Sequence, residues 1–240
     1  MPALLELEHV TAAYGKVEVL HDLSMSVPPG SVVALLGSNG AGKTTTLRVI
    51  SGTLPLRRGS VRLERARLDG RSPYEIARSG VVLVPEGRGI FPLLNVRDNL
   101  KVAARAARGI SSNLRQERIQ GVLTTFPRLE ERLSQRAGSL SGGEQQMLAM
   151  CRALLADPKV LMMDEISMGL APMIVDQLFE TVGQLKAAGL TIVLVEQYLT
   201  YALRMADVCY VLSKGKIAFV GEPSELGAGS AVASAYLGTG

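Results

Sequence analysis

The chain has 240 residues, 47% hydrophobic and 20% charged, and a formal net charge of +4. That length and apolar share suffice for one substantial core, and so small a basic excess ordinarily marks a solvated surface rather than a nucleic-acid footprint. No charged-then-apolar N-terminal signal is present and no apolar run approaches the roughly 20 residues of a bilayer span, so the chain is expected to reach a membrane only through partners.

LLELEHV and VEVLHDLSMSV near the start, and RGSVRLERARLDG further on, alternate apolar and polar residues with turn residues between them. This predicts an antiparallel sheet beside the core. Between these stretches the apolar run SVVALL leads into GSNGAGKT, Gly37 to Thr44, and then into a helical stretch from Thr45 to Ser51. Strand, glycine-rich loop and helix in that order form the setting of a phosphate-binding loop. Gly37 and Gly42 permit backbone angles that a side chain blocks. The loop Gly37, Ser38, Asn39, Gly40, Ala41 and Gly42 can then wrap phosphates, with the amides from Asn39 to Thr45 turned towards them. Lys43 reaches the β- and γ-phosphates, and the Thr44 hydroxyl ligates Mg²⁺.

Ser72, Pro73, Tyr74 and Glu75 open a short helix that Gly80 ends, with the serine as cap and the proline in the first turn. VVLV, VLMM, TIVLV and VCYVL read as buried strands of a mostly parallel sheet with helices between them. From about Glu86 to Asp157 no clear strand is present, and VRDNLKVAARAA and NLRQERIQGVLTTF are helical. Residues 86–157 are therefore expected to form a helical subdomain within a single 1–240 unit, whose nucleotide-binding core comprises 1–85 and 158–240.

At the far end of that insertion, LSGGE (Leu140 to Glu144) reads as a helix start. Ser141 caps it, Gly142 and Gly143 leave backbone amides open, and Glu144 completes a capping box. Open amides and the helix dipole favour an anion, although most such starts only cap a helix. VLMMDE, Val160 to Glu165, ends an apolar strand in two carboxylates. Asp164 is placed to hold Mg²⁺ through water, and Glu165 to orient and deprotonate an attacking water. Cys151 and Cys209 lie far apart without metal-ligand spacing and read as small buried apolar residues.

With these three motifs in this order, the chain resembles the nucleotide-binding subunits of ATP-binding cassette (ABC) transporters over nearly its whole length. The resemblance implies an α/β P-loop nucleoside triphosphate hydrolase with a mostly parallel core sheet, an antiparallel β subdomain and a helical subdomain. ATP and Mg²⁺ are the implied cofactors. ATP is expected to lie between two subunits, with the loop of one and the LSGGE of the other closing on one γ-phosphate. Implied partners are a second ATPase subunit (identical or not), integral membrane permease subunits and, through these, an extracytoplasmic substrate-binding protein. No nucleic acid is expected, and the implied location is peripheral, on the cytoplasmic side of the cell membrane.

Further segments match in order. Tyr14 holds the position of the adenine-stacking aromatic, unless it is an ordinary strand-end tyrosine. SMGLAP, Ser167 to Pro172, matches the dimer-contacting loop, and VPEGRGIF, Val84 to Phe91, the segment that senses the γ-phosphate and touches the permease. Ile90, Phe91 and Leu94 either meet the permease or pack internally, and Arg88 and Arg97 either pair with it or are solvated.

Three positions depart from the family pattern: Glu86 replaces its usual glutamine, Gln197 its switch histidine and Ile166 its proline. The first two, with PEGR, IFP, VEQ and a terminal SAYLG, resemble the second ATPase subunits of high-affinity branched-chain amino acid importers. Urea and short-chain amide importers resemble the same group. An amide cannot shuttle a proton as an imidazole does, which leaves Gln197 hydrogen bonding to the γ-phosphate and Glu165 the role of general base. Glu86 either ligates Mg²⁺ through water or hydrogen-bonds the loop. Ile166 fits neither pattern. A soluble ABC ATPase acting on DNA or ribosomes is disfavoured, because one cassette is present and the roughly 120 residues between Lys43 and Asp164 hold no sustained heptads.

Overall fold

Alternating burial pins the first two strands together. In a computed structural model of the chain, which describes residues 3–106 and 111–226, β1 (Leu5–Tyr14) and β2 (Val17–Val27) pair antiparallel. Leu5, Leu7, Val10 and Ala12 face the core, and the alternation slips where His9 (φ 51°) bulges and bonds Asp22 (φ 57°) at 2.8 Å. With β4 (Leu56–Leu63) and β5 (Ala66–Arg67) they form an antiparallel sheet, as the sequence pattern predicts, and its order is β2-β1-β4-β5.

The second sheet holds six strands: β3 (Val32–Leu36), β6 (Val81–Val84), β7 (Val160–Asp164), β8 (Thr191–Val195), β9 (Val208–Ser213) and β10 (Lys216–Gly221). Their order is β10-β9-β3-β8-β7-β6, all parallel except β10, which pairs antiparallel with β9 at the edge. The continuous apolar runs follow from burial on both faces. Val32, Ala34 and Leu36 enter one core cluster and Val33 and Leu35 the other; Leu161 and Met163 divide in the same way from Val160 and Met162. Each fully buried side chain of this size contributes roughly 1.5–3 kcal/mol, so the carboxyl ends of these strands are firm supports for the loops that leave them.

Helices occupy the connections. α1 (Lys43–Ile50) follows the glycine-rich loop and starts two residues earlier than the sequence suggests. α2 (Pro73–Ser79) has the expected Ser72 cap, which Glu75 completes into a capping box, and ends at Gly80, whose φ of 107° suits glycine. Then come α3 (Val96–Ala104), α4 (Ser112–Thr125), α5 (Pro127–Glu130) and α6 (Gly142–Leu155). The bridge between Asn95 and Arg136 is the one isolated strand-like pairing among the described residues. α7 (Pro172–Ala187) and α8 (Leu199–Met205) flank β8 in sequence. The terminal SAYLG lies outside the described residues.

The structure accounts for Ile166. Its side chain is 1% exposed and belongs to the core cluster that holds Met163, Val175 and Leu194. An apolar branched residue there fills the core where the family pattern has a rigid ring. Cys151 and Cys209 are both buried, as expected, and burial pushes the Cys209 thiol up to about 11.

Candidate active site

Steric contacts explain the glycines of the phosphate-binding loop. At Gly37 (φ 142°) an added Cβ would lie 2.3 Å from the Leu212 carbonyl oxygen, and at Gly42 (φ 112°) 2.8 Å from Leu20 Cδ2. The loop therefore packs against β2 and β9 while it curls over the start of α1, and Ala41 N donates to Ser38 O at 3.1 Å. Lys43 opens α1, is 5% exposed, and donates from Nζ to Gly37 O at 2.9 Å and Ser38 O at 3.2 Å. Burial lowers its pKa from the ordinary 10.5, against the pull of Glu165 and Asp164. A buried ammonium held by carbonyls alone is poised to gain an anionic partner.

The acidic strand end faces this loop from two strands away. β3 and β7 flank β8, so their carboxyl ends open on one crevice, where ligands of open parallel sheets bind. Thr44 Oγ1 donates to Asp164 Oδ1 at 3.2 Å across it. Asp164 is 3% exposed, and burial pushes its carboxyl up to about 6; the Thr44 hydrogen bond opposes this, and the charges of Glu165 and Glu86 add to it. A hydroxyl beside a buried carboxylate that forms no ion pair among the described residues fits Mg²⁺, a hard ion that takes oxygen ligands. Among the described residues no group of three His, Cys, Asp or Glu side chains converges as a metal cage. Phosphate and water would therefore complete the coordination of an ion on Thr44 and Asp164, and Glu86 lines the same cleft.

Glu165 turns the chain at the end of β7 in a left-handed conformation (φ 49°) that non-glycine residues seldom adopt. Its backbone N–H is tied to Val195 O at 2.9 Å, and its Oε2 accepts Gln197 Nε2 at 3.0 Å. Asn39, Gly40, Gly42, Lys43, Thr44, Thr45, Glu86, Glu165 and Gln197 line a cleft of ≈ 470 Å³, joined by Val19 and Met168. Met168 belongs to the SMGLAP segment, which the sequence marks as a dimer contact rather than as cleft lining, and Val19 carries no motif of its own.

Two predicted elements lie apart from this cleft. Tyr14 does not line it; it stands at the end of β1, 40% exposed, with its hydroxyl accepting Arg48 Nη1 at 3.0 Å. Ser141, Gly142, Gly143 and Glu144 do not line it either. They start α6 with a complete capping box: Glu144 N donates to Ser141 Oγ at 3.3 Å, and Glu144 Oε2 accepts both Ser141 N and Ser141 Oγ at 2.8 Å. Arg132 Nε lies 2.6 Å from Glu144 Oε1. Gly143 is required by packing, since an added Cβ would lie 2.5 Å from Ile174 Cγ2.

The segment after β6 is organised by a residue without a motif. Asn99 is fully buried, accepts Phe91 N at 2.9 Å, and donates to Phe91 O and Asn95 O at 3.0 Å each. Ile90 packs partly against the core, whereas Phe91, Leu93 and Leu94 stay 43%, 83% and 36% exposed. Arg88 is used internally, donating to Gln145 Oε1, while Arg97 is exposed.

Residues 20–167 match the ABC transporter family profile. The chain belongs to that family. The high-affinity branched-chain amino acid transport ATP-binding protein BraG of Pseudomonas aeruginosa is 44% identical over 98% of this chain and 100% of its own length. The probable branched-chain amino acid transport ATP-binding protein LivF of Archaeoglobus fulgidus is 34% identical over 93% of this chain and 94% of its own. A solved ATP-binding subunit of an ABC transporter superposes with a TM-score of 0.82 at 33% identity, over 93% of this chain and 91% of its own. As an ABC ATPase, the chain has its phosphate loop, acidic strand end and Gln197 on one cleft, with the signature motif LSGGE set apart from it.

Proposed function

We propose that this chain is the ATP-hydrolysing subunit of a membrane importer for branched-chain amino acids. One observation carries the hydrolytic part: Lys43, Thr44, Glu86, Glu165 and Gln197 converge on a single cleft, and Asp164 is bonded to Thr44 at its edge. Lys43 and the loop amides bind the β- and γ-phosphates. Thr44 and Asp164 hold Mg²⁺, which when bound offsets the charge of the phosphates. Glu165 takes the proton of the attacking water, and the Gln197 amide orients that carboxylate and then donates to the γ-phosphate.

The signature residues Ser141, Gly142, Gly143 and Glu144 act in trans, on the nucleotide held by a second ATPase subunit. Their separation from the chain's own cleft supports this arrangement. Tyr14 meets adenine at the outer edge of the site, and residues 86–157 form the helical subdomain that carries the permease contact. No helix among the described residues is long and apolar enough to cross a membrane, which supports a peripheral position under permease subunits. The substrate rests on the full-length likeness to BraG, because no residue of the cleft meets the transported molecule. Ligand binding by the cognate extracytoplasmic protein separates branched-chain amino acids from urea or short amides.

Glu165→Gln tests the chemistry. It should abolish phosphate release while ATP binding and ATP-driven dimerisation persist; turnover at the wild-type rate would remove Glu165 from the role of base.

A further inference from the structure

Just beyond β8 lies a carboxylate that the chemistry above does not use. Glu196 is 3% exposed and Ser167 1%. Glu196 Oε1 accepts Ser167 N at 3.2 Å, and its second oxygen accepts the Ser167 hydroxyl. The groups that act on it most strongly are the Ser167 amide and hydroxyl from the β7–α7 loop, the Glu165 carboxylate from the same loop and the Gln197 backbone amide, and among the described residues it forms no ion pair. A buried acid without a cation is costlier to fold around than an apolar side chain of its size, so packing alone does not explain it.

What it does is geometric. Ser167 lies two residues after Glu165, and Glu196 lies one residue before Gln197. The ends of β7 and β8 are thus cross-linked three times: by Glu165 N to Val195 O at 2.9 Å, by the Gln197 side chain to Glu165 at 3.0 Å, and by Glu196 to Ser167. Glu165 holds an uncommon left-handed backbone that its surroundings must enforce. We propose that Glu196 is a positioning residue for hydrolysis, locking the Ser167 turn to the end of β8 and so fixing the Glu165 carboxylate against Gln197 and the attacking water. This rests on the reading of Glu165 as the base.

Burial also pushes the Glu196 carboxyl up to about 7. The ionised form accepts both bonds from Ser167, whereas the protonated form must donate from one oxygen. The lock is therefore tightest on the alkaline side of neutrality.

Steady-state ATP hydrolysis by the full-length protein with Mg²⁺ in excess tests the proposal. Glu196→Ala should lower kcat by about tenfold or more and leave KM for ATP within about twofold, the mark of an interaction that matters after binding. Ser167→Ala should do the same, and the double variant should lose no more than either single one. Glu196→Gln keeps an acceptor for the Ser167 amide and should retain at least about a third of kcat at neutral pH. The wild-type kcat should rise between about pH 6 and about pH 8, and Glu196→Gln should lose part of that rise. Wild-type kcat in Glu196→Ala, losses that multiply in the double variant, or a KM that rises in step with the fall in kcat would each overturn the proposal. If Glu196→Ala does not fold, Ser167→Ala and Glu196→Gln decide alone: wild-type kcat in the first, with an unchanged pH profile in the second, overturns it. Glu165→Gln measured alongside separates the two readings, since turnover in that variant refutes the base itself whatever Glu196 does.

Discussion

Asn99→Ala should cost more stability than any exposed substitution in the helical segment, and the structure sets the size of the effect. The side chain is 0% exposed and holds three hydrogen bonds of 2.9–3.0 Å, two to Phe91 and one to Asn95. Truncation leaves the Phe91 N–H and C=O without their partner, at about 1–3 kcal/mol for each group denied water. Phe91 itself is 43% exposed, so solvent reaches part of the vacated space and the sum falls to about 2–4 kcal/mol. For a chain of this size that corresponds to a fall in Tm of about 5–12 °C, read by circular dichroism on nucleotide-free protein. Asn99→Asp keeps the acceptor for Phe91 N but loses both donated bonds and buries a charge, so it should be no better. Hydrolysis by the isolated protein below its Tm should stay within about twofold of wild type, because Asn99 does not line the cleft. Transport by the assembled importer should fall, because the Phe91–Leu94 surface loses its anchor. A Tm within about 1 °C of wild type would refute the account of how this segment is held.

Three other outcomes are expected. Ser141→Arg should leave ATP binding by the monomer nearly intact yet prevent ATP-driven dimerisation in size-exclusion measurements; equal loss of both would return LSGGE to a structural cap. Leu93→Asp, at a side chain 83% exposed, should leave Tm and basal hydrolysis unchanged and abolish transport with the permease, and normal transport would move the docking surface elsewhere. For Asp164, burial raises the folded-state pKa from 3.8 to about 6, so the folded protein binds more protons than the unfolded chain between those values. Nucleotide-free wild type should therefore lose stability relative to Asp164→Asn as pH rises through that window. A Tm gap independent of pH would contradict the burial.

Fold and site were unequally legible. The buried parallel strands were readable because VVALL, VLMMD and TIVLV are apolar on both faces, and helix starts such as Ser72 and Ser141 carry a local hydrogen-bond pattern that chain spacing reveals. The order β9-β3-β8-β7 was not readable, since it is decided by which crossovers pack and leaves no mark on any single strand. The glycines of the loop after β3 were legible for a related reason: steric demands fix Gly37 and Gly42 in place. Asn99 and Glu196 were not, because a buried polar residue is recognised by partners that the fold brings to it. Tyr14 shows the converse. Its position matches the adenine-stacking aromatic, and the structure places it against Arg48, outside the lining of the cleft.

The closed capping box at Ser141 has a consequence for control. In the lone subunit the hydroxyl at the start of α6 is already engaged by Glu144, whose charge is in turn matched by Arg132. The signature hydroxyl is therefore already partnered, and a phosphate that reaches this helix end must share it with Glu144. In the arrangement proposed above, a triphosphate delivered on a rigid facing surface would bring enough simultaneous contacts to share that hydroxyl and engage the Gly142 and Gly143 amides. Under the proposed arrangement in trans, the motif would work as a coincidence detector, silent towards ATP in solution and responsive to ATP presented by another subunit.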